Sequence, residues 1–204
     1  MNALLIVDLQ NDFVPGGALP APHGDHLAPI INKVMDSFPL ILAIKDWHPI
    51  NHVSFAVNHS GKKIGDVIKV EGLDQILWPV HCVQNTPGSE FVPDLRKDRI
   101  EKVFYKGNDP DVDDYSGFFD NAKKRDTGLE KYLRDQGIGE ITIVGIATDY
   151  CVLYSALDGL GIGFEVSILR EACCAINLHP GDGERALEKM KNKGAKILSV
   201  SKYL

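Results

Sequence analysis

No uninterrupted apolar run in this 204-residue sequence approaches the roughly 20 residues that a membrane-spanning helix needs. A basic stripe is missing too. Acidic residues outnumber Lys and Arg by 28 to 22, for a net charge of −6, so neither nucleic acid nor an anionic membrane is an expected partner. A small molecule is. The four cysteines, Cys82, Cys151, Cys173 and Cys174, contain no C-x-x-C pair to hold a structural zinc, and the adjacency of the last two argues against a disulfide framework. The opening MNALLIVDLQ enters a strand pattern directly, without the charged, apolar and cleavage regions of a signal peptide, so reduced thiols and a cytoplasmic location are expected. No repeat, low-complexity tract or Pro/Ser-rich linker divides the chain, and its length suits one domain over residues 1–204.

Short β-branched and apolar runs recur at Ala3 to Val7, Leu40 to Ile44, Lys102 to Tyr105, Ile141 to Val144, Phe164 to Leu169 and Lys196 to Val200. Helical spacing of apolar residues falls between most of them, at His26 to Asp36, Thr127 to Gln136, Tyr150 to Leu160 and Asp182 to Lys193. That alternation predicts an α/β protein, a three-layer α/β/α arrangement with a mainly parallel six-stranded sheet. Pro49 to Val92 is rich in His, Gly and Pro and shows little periodicity; a section of that length is more often functional than slack.

Ligands of open α/β sheets bind beyond the carboxyl ends of the strands, so the residue that follows each strand matters most. Asp8 follows ALLIV, Lys106 follows KVFY, and Cys151 follows the ITIVG turn where a helix pattern begins. A carboxylate, a cation and a thiol thus reach one rim, which is what nucleophilic catalysis requires: a base for the proton and a group to hold charge. Free N–H groups at a helix N-terminus favour an anion, so a thiol pKa of about 8.5 can fall there to roughly 3.5–7.5. The plainer alternative for Cys151 is a small buried hydrophobe, for Asp8 a turn residue, and for Lys106 a solvated one.

A second cluster follows the second strand. In KDWHPINHVSF, Asp46 and His48 stand two apart, on the same side of an extended chain with Trp47 turned away, and WPVHC adds His81. Asp, His and His with open positions suit one divalent ion, with Zn²⁺ first and Fe²⁺ or Mn²⁺ as alternatives. His52 is either a further ligand or an outer hydrogen-bond partner. His23, His26, His59 and His179 read as ordinary surface residues.

VDLQNDFVPGGAL, DWHPINHVSF, WPVHCVQNTPGSEF, FYKGNDPDVDDYSGFFDN and GIATDYCV together resemble the nicotinamidases, also called pyrazinamidases, and span most of the chain in that family's order. The resemblance implies the isochorismatase-like hydrolase fold and the metal-dependent conversion of nicotinamide to nicotinate and ammonia, and of pyrazinamide to pyrazinoate, in NAD salvage. It implies a catalytic triad of Asp8, Lys106 and Cys151, and metal ligands Asp46, His48 and His81. It also implies that Phe13, Trp78 and Tyr115 flank the substrate ring, where core packing is the alternative. A cis peptide before Ala147 is implied as well, turning that N–H inward beside the Cys151 N–H. The competing readings are another isochorismatase-like hydrolase acting on a different amide or an enol ether, and a non-enzymatic metal-binding protein on the same scaffold. The number of subunits is left open, a homo-oligomer included.

Overall fold

Six parallel strands form the centre of the computed structural model, which describes all 204 residues. They are β1 (Asn2–Val7), β2 (Leu40–Asp46), β5 (Lys102–Lys106), β6 (Glu140–Ile146), β7 (Glu165–Cys174) and β8 (Lys196–Leu198), in the order β5-β2-β1-β6-β7-β8. Each coincides with a predicted strand. The chain winds outward from β1 through β2 to β5, then returns to lay β6 against the other side of β1, so the strand order reverses between β1 and β6. A crevice opens at such a reversal, beyond the carboxyl ends.

Both faces of the sheet are covered because its strands carry apolar residues on both sides. Ala3, Leu5, Val7, Leu42, Ile44, Ile141 and Ile143 pack beneath α2 (Leu129–Asp135), α3 (Cys151–Gly161) and α4 (Asp182–Asn192). Leu4, Ile6, Ile41 and Ala43 face α1 (Leu27–Val34), which buries Leu27, Ala28, Ile31 and Val34 at helical spacing. At about 25 cal/mol per Å² of apolar surface removed from water, these two layers are the main favourable term in folding. None of the helices is long and apolar enough to cross a membrane.

The sequence pattern misses one feature, an antiparallel hairpin of β3 (Val67–Val70) and β4 (Leu73–Ile76) that stands apart from the main sheet within the aperiodic 49–92 stretch. Its strands are four residues each and mostly exposed, so they carry no apolar alternation to read.

Candidate active site

The sheet register determines what meets what. Asp46 and Lys106 are paired residues at the ends of β2 and β5, while Asp8 follows β1 and Cys151 opens α3 just beyond β6. Four neighbouring strand ends thus deliver a carboxylate, an ammonium, a second carboxylate and a thiol. All are buried. Asp8 adopts φ +48°, a left-handed conformation uncommon outside glycine, directly after the strand.

Lys106 ties the group together. Its Nζ donates to Asp46 Oδ1 and to the Asp114 carbonyl at 3.1 Å, lies 3.0 Å from Asp8 Oδ2 and 3.4 Å from Cys151 Sγ, so four acceptors share three protons. Burial pushes its pKa down, but Asp46 and Asp8 more than reverse this and hold it well above the usual lysine value; it stays a cation. No backbone amide donates to the Asp8 carboxylate. Burial therefore outweighs the attraction of Lys106 and raises Asp8 to about 7, which is where a general base for neutral pH should lie.

Cys151 departs from expectation. Burial, which disfavours the thiolate, outweighs Lys106, and Asp8 and Asp46 add repulsion, so its pKa lies well above that of a free thiol. The resting group is a thiol, and its ionisation needs a base beside it. The Asp8, Asp46 and Cys151 ligand atoms lie within 4.8 Å of one another. Above the thiol, the Ile146–Ala147 peptide is cis, and the amide N–H groups of Ala147 and Cys151 donate to no acceptor in the protein.

Asp46, His48 and His81 also converge, with donor atoms within 4.8 Å of one another. His48 Nδ1 donates to the Gly107 carbonyl at 3.0 Å and His81 Nδ1 to the Pro79 carbonyl at 2.8 Å. Each ring is thereby oriented so that its Nε2 faces Asp46 Oδ2, at 3.4 and 3.7 Å. Gln10 clamps the backbone of Asp46 from both sides, donating to its carbonyl and accepting from its N–H, each at 2.8 Å. Burial acts to raise Asp46, but Lys106 and His48 prevail and hold it well below the usual carboxylate range. An anionic carboxylate with two imidazole nitrogens aimed at one point fits a divalent ion with positions left open. His52 is fully buried, its ring 4.2 Å from that of His48, with Nδ1 bonded to Ser54 Oγ at 2.7 Å. Its Nε2 has no hydrogen-bond partner and lies 4.0 Å from Asp113 Oδ1. Burial lowers its pKa to about 4, so it stays neutral.

Cys151 and the Asp46, His48 and His81 trio line one cavity. Phe13, Trp78, Tyr115 and Ala147 line it together with Cys151, Asp46, His48 and His81, while Asp8 and Lys106 are outside the lining and reach it through the contacts of Lys106 with Cys151 and Asp46. Phe13 meets His81 edge-on at 5.4 Å; across the cavity Trp78 and Tyr115 flank Tyr150 at 5.0 and 5.5 Å. Trp47 faces elsewhere, packed on Tyr105. Sequence reasoning missed Leu19, Asp113, Asp114, Tyr150 and Ile176 in this lining. Asp113 and Asp114 sit in the run NDPDVDD, which has the composition of a solvated turn. Ile176 is brought in by Asp149, whose carboxylate accepts the N–H groups of Ile176 and Asn177 at 3.0 and 2.7 Å.

Residues 2–202 match the isochorismatase domain. The nicotinamidase of Escherichia coli is 42% identical over 99% of this chain and 96% of its own length. The chain belongs to the nicotinamidase family. Among solved structures, an Acinetobacter baumanii nicotinamidase/pyrazinamidase superposes with a TM-score of 0.96 at 39% identity, covering all of this chain and 98% of that one. A pyrazinamidase of Pyrococcus horikoshii, determined in complex with zinc, gives 0.78 at 44% identity, covering 97% and 98%. As a member of the nicotinamidase family the chain has the isochorismatase-like fold predicted from its sequence, and it is a hydrolase.

Proposed function

We propose that this protein hydrolyses nicotinamide to nicotinate and ammonia, and pyrazinamide to pyrazinoate, in NAD salvage in the cytoplasm. The reading is carried by one observation: Cys151, in contact with Lys106 and beside Asp8, lines the same cavity as the convergent trio Asp46, His48 and His81. It is supported by the names and contents of the similar proteins.

Phe13, Trp78 and Tyr115 form a slot for a flat ring, and Asp46, His48 and His81 would hold one divalent ion, zinc being our assignment. When bound, that ion supplies a Lewis acid for the ring nitrogen and for water. Asp8 takes the thiol proton of Cys151, and the sulfur adds to the carboxamide carbon. Charge developing on oxygen is received by the N–H groups of Ala147 and Cys151. The proton held by Asp8 then passes to nitrogen, the C–N bond breaks, and ammonia leaves a thioester on Cys151. Asp8, ionised again, deprotonates a water that attacks the thioester, releasing nicotinate and the thiol. Lys106 offsets the charge on Asp8 and on sulfur throughout, which is why it must stay protonated.

Two expectations test the site. Ammonia release from nicotinamide should vanish on chelation and return when Zn²⁺, Fe²⁺ or Mn²⁺ is added back; activity indifferent to chelator, or absent with every metal, would overturn the reading. Gly107 approaches the metal trio so closely that a Cβ would come within 2.3 Å of His48 Nδ1, and its φ of +67° resists any side chain. Gly107→Ala is therefore expected to displace the His48 ring and weaken Zn²⁺ binding by about 10–100-fold, as measured by titration of chelator-stripped protein.

A further inference from the structure

The β3–β4 hairpin lies outside the sheet, and among its eight strand residues only Gln75 is buried. Gln75 does not line the cavity. Its amide Nε2 instead donates to Asp113 Oδ2 and to the Ile76 carbonyl, each at 2.8 Å, and lies 3.3 Å from Tyr115 Oη, a hydroxyl that also accepts from Trp78 Nε1 at 3.1 Å. Asp113, Tyr115 and Trp78 all line the cavity. One side chain from the hairpin thus touches two wall residues, Asp113 and Tyr115, and through the Tyr115 hydroxyl is linked to a third, Trp78, from a separate stretch of chain. The buried Asp113 carboxylate takes Gln75 on Oδ2, its one side-chain donor, and the Asp114 N–H on Oδ1 at 3.0 Å, so Gln75 fixes one of its two oxygens. The Trp78 backbone is anchored independently, through hydrogen bonds with Ser54 and Ala56, so the chain path there does not rely on Gln75.

We infer that Gln75 is a positioning residue for substrate, acting through Asp113 and the Tyr115–Trp78 wall, with the hairpin as its support. The inference rests on the proposed reading of the cavity as the nicotinamide site. Gln75 has no hydrogen bond to Asp8, Lys106 or Cys151, so the chemical step is expected to be untouched and ring binding to suffer.

Gln75→Met keeps the length and bulk of the side chain and removes the amide. It is expected to raise KM for nicotinamide roughly tenfold with kcat within about twofold, the pattern of binding lost equally from ground and transition states. The Trp78 indole N–H resonance, identified with a Trp47→Phe background, should shift with it because its acceptor Tyr115 has lost a tether. An unmoved indole resonance, an unchanged KM, or a fall in kcat at constant KM would each overturn the role. A wild-type protein unable to hydrolyse nicotinamide would instead overturn the assigned reaction, and the indole resonance would still decide whether Gln75 holds the wall.

Discussion

Cys151→Ala should abolish ammonia release from nicotinamide, lowering kcat by about 10⁴- to 10⁶-fold, while the protein still binds a stoichiometric divalent ion. The separation follows from geometry. Asp46, His48 and His81 point their donor atoms at one another without recourse to sulfur, and both imidazoles are held by backbone carbonyls on Gly107 and Pro79. Removing Sγ takes away the atom that would form the covalent bond and one of the four neighbours of Lys106, leaving three oxygen acceptors for its three protons. The variant is therefore expected to fold. Metal analysis beside an ammonia assay reads both halves; an undiminished rate would remove Cys151 from the mechanism.

Asp8→Asn should cost about 10²- to 10⁴-fold in kcat, the usual contribution of a general base. Its stability should move the other way. Burial raises Asp8 to about 7, against 3.8 for the unperturbed group. Between those values folded Asp8 binds a proton that unfolded Asp8 has released. Its contribution to stability is present in full below pH 4 and is lost as pH rises through about 7. An asparagine carries no such dependence, and Lys106 keeps Asp46 and the Asp114 carbonyl as partners. At pH 8 the Asn variant should melt no lower than wild type, and its advantage should shrink toward pH 5. Thermal denaturation at the two pH values measures this. A catalytic carboxylate that costs stability is a site arranged for chemistry at the expense of the fold.

The sheet was legible because its strands are apolar on both faces and helical patterns separate them, so period and order both point to parallel α/β. The site was legible at the strand ends, where Asp8, Lys106 and Cys151 stand one step past apolar runs. What stayed hidden depends on partners distant in the chain. The strands VIKV and LDQI read as nothing in particular, since the side-chain partners of Gln75, Asp113 and Tyr115, lie far along the chain. Asp113 and Asp114 looked like turn residues because the acidic composition of residues 108–114 gives no sign that the last two turn inward with Tyr115 against the cavity. The upward shift of the Cys151 pKa was hidden for a related reason. A helix N-terminus was visible in the pattern, but the burial of the thiol beside two carboxylates was not.

The most direct test uses nicotinaldehyde labelled with ¹³C at the aldehyde carbon, an analogue that keeps the ring and the carbonyl but has no leaving group. If Cys151 is the nucleophile, the wild-type protein converts the label from a trigonal to a tetrahedral carbon, seen by NMR as a thiohemiacetal, and Cys151→Ala leaves it trigonal. A tetrahedral signal that persists in Cys151→Ala, or an aldehyde that inhibits the wild type while remaining trigonal, would contradict the account.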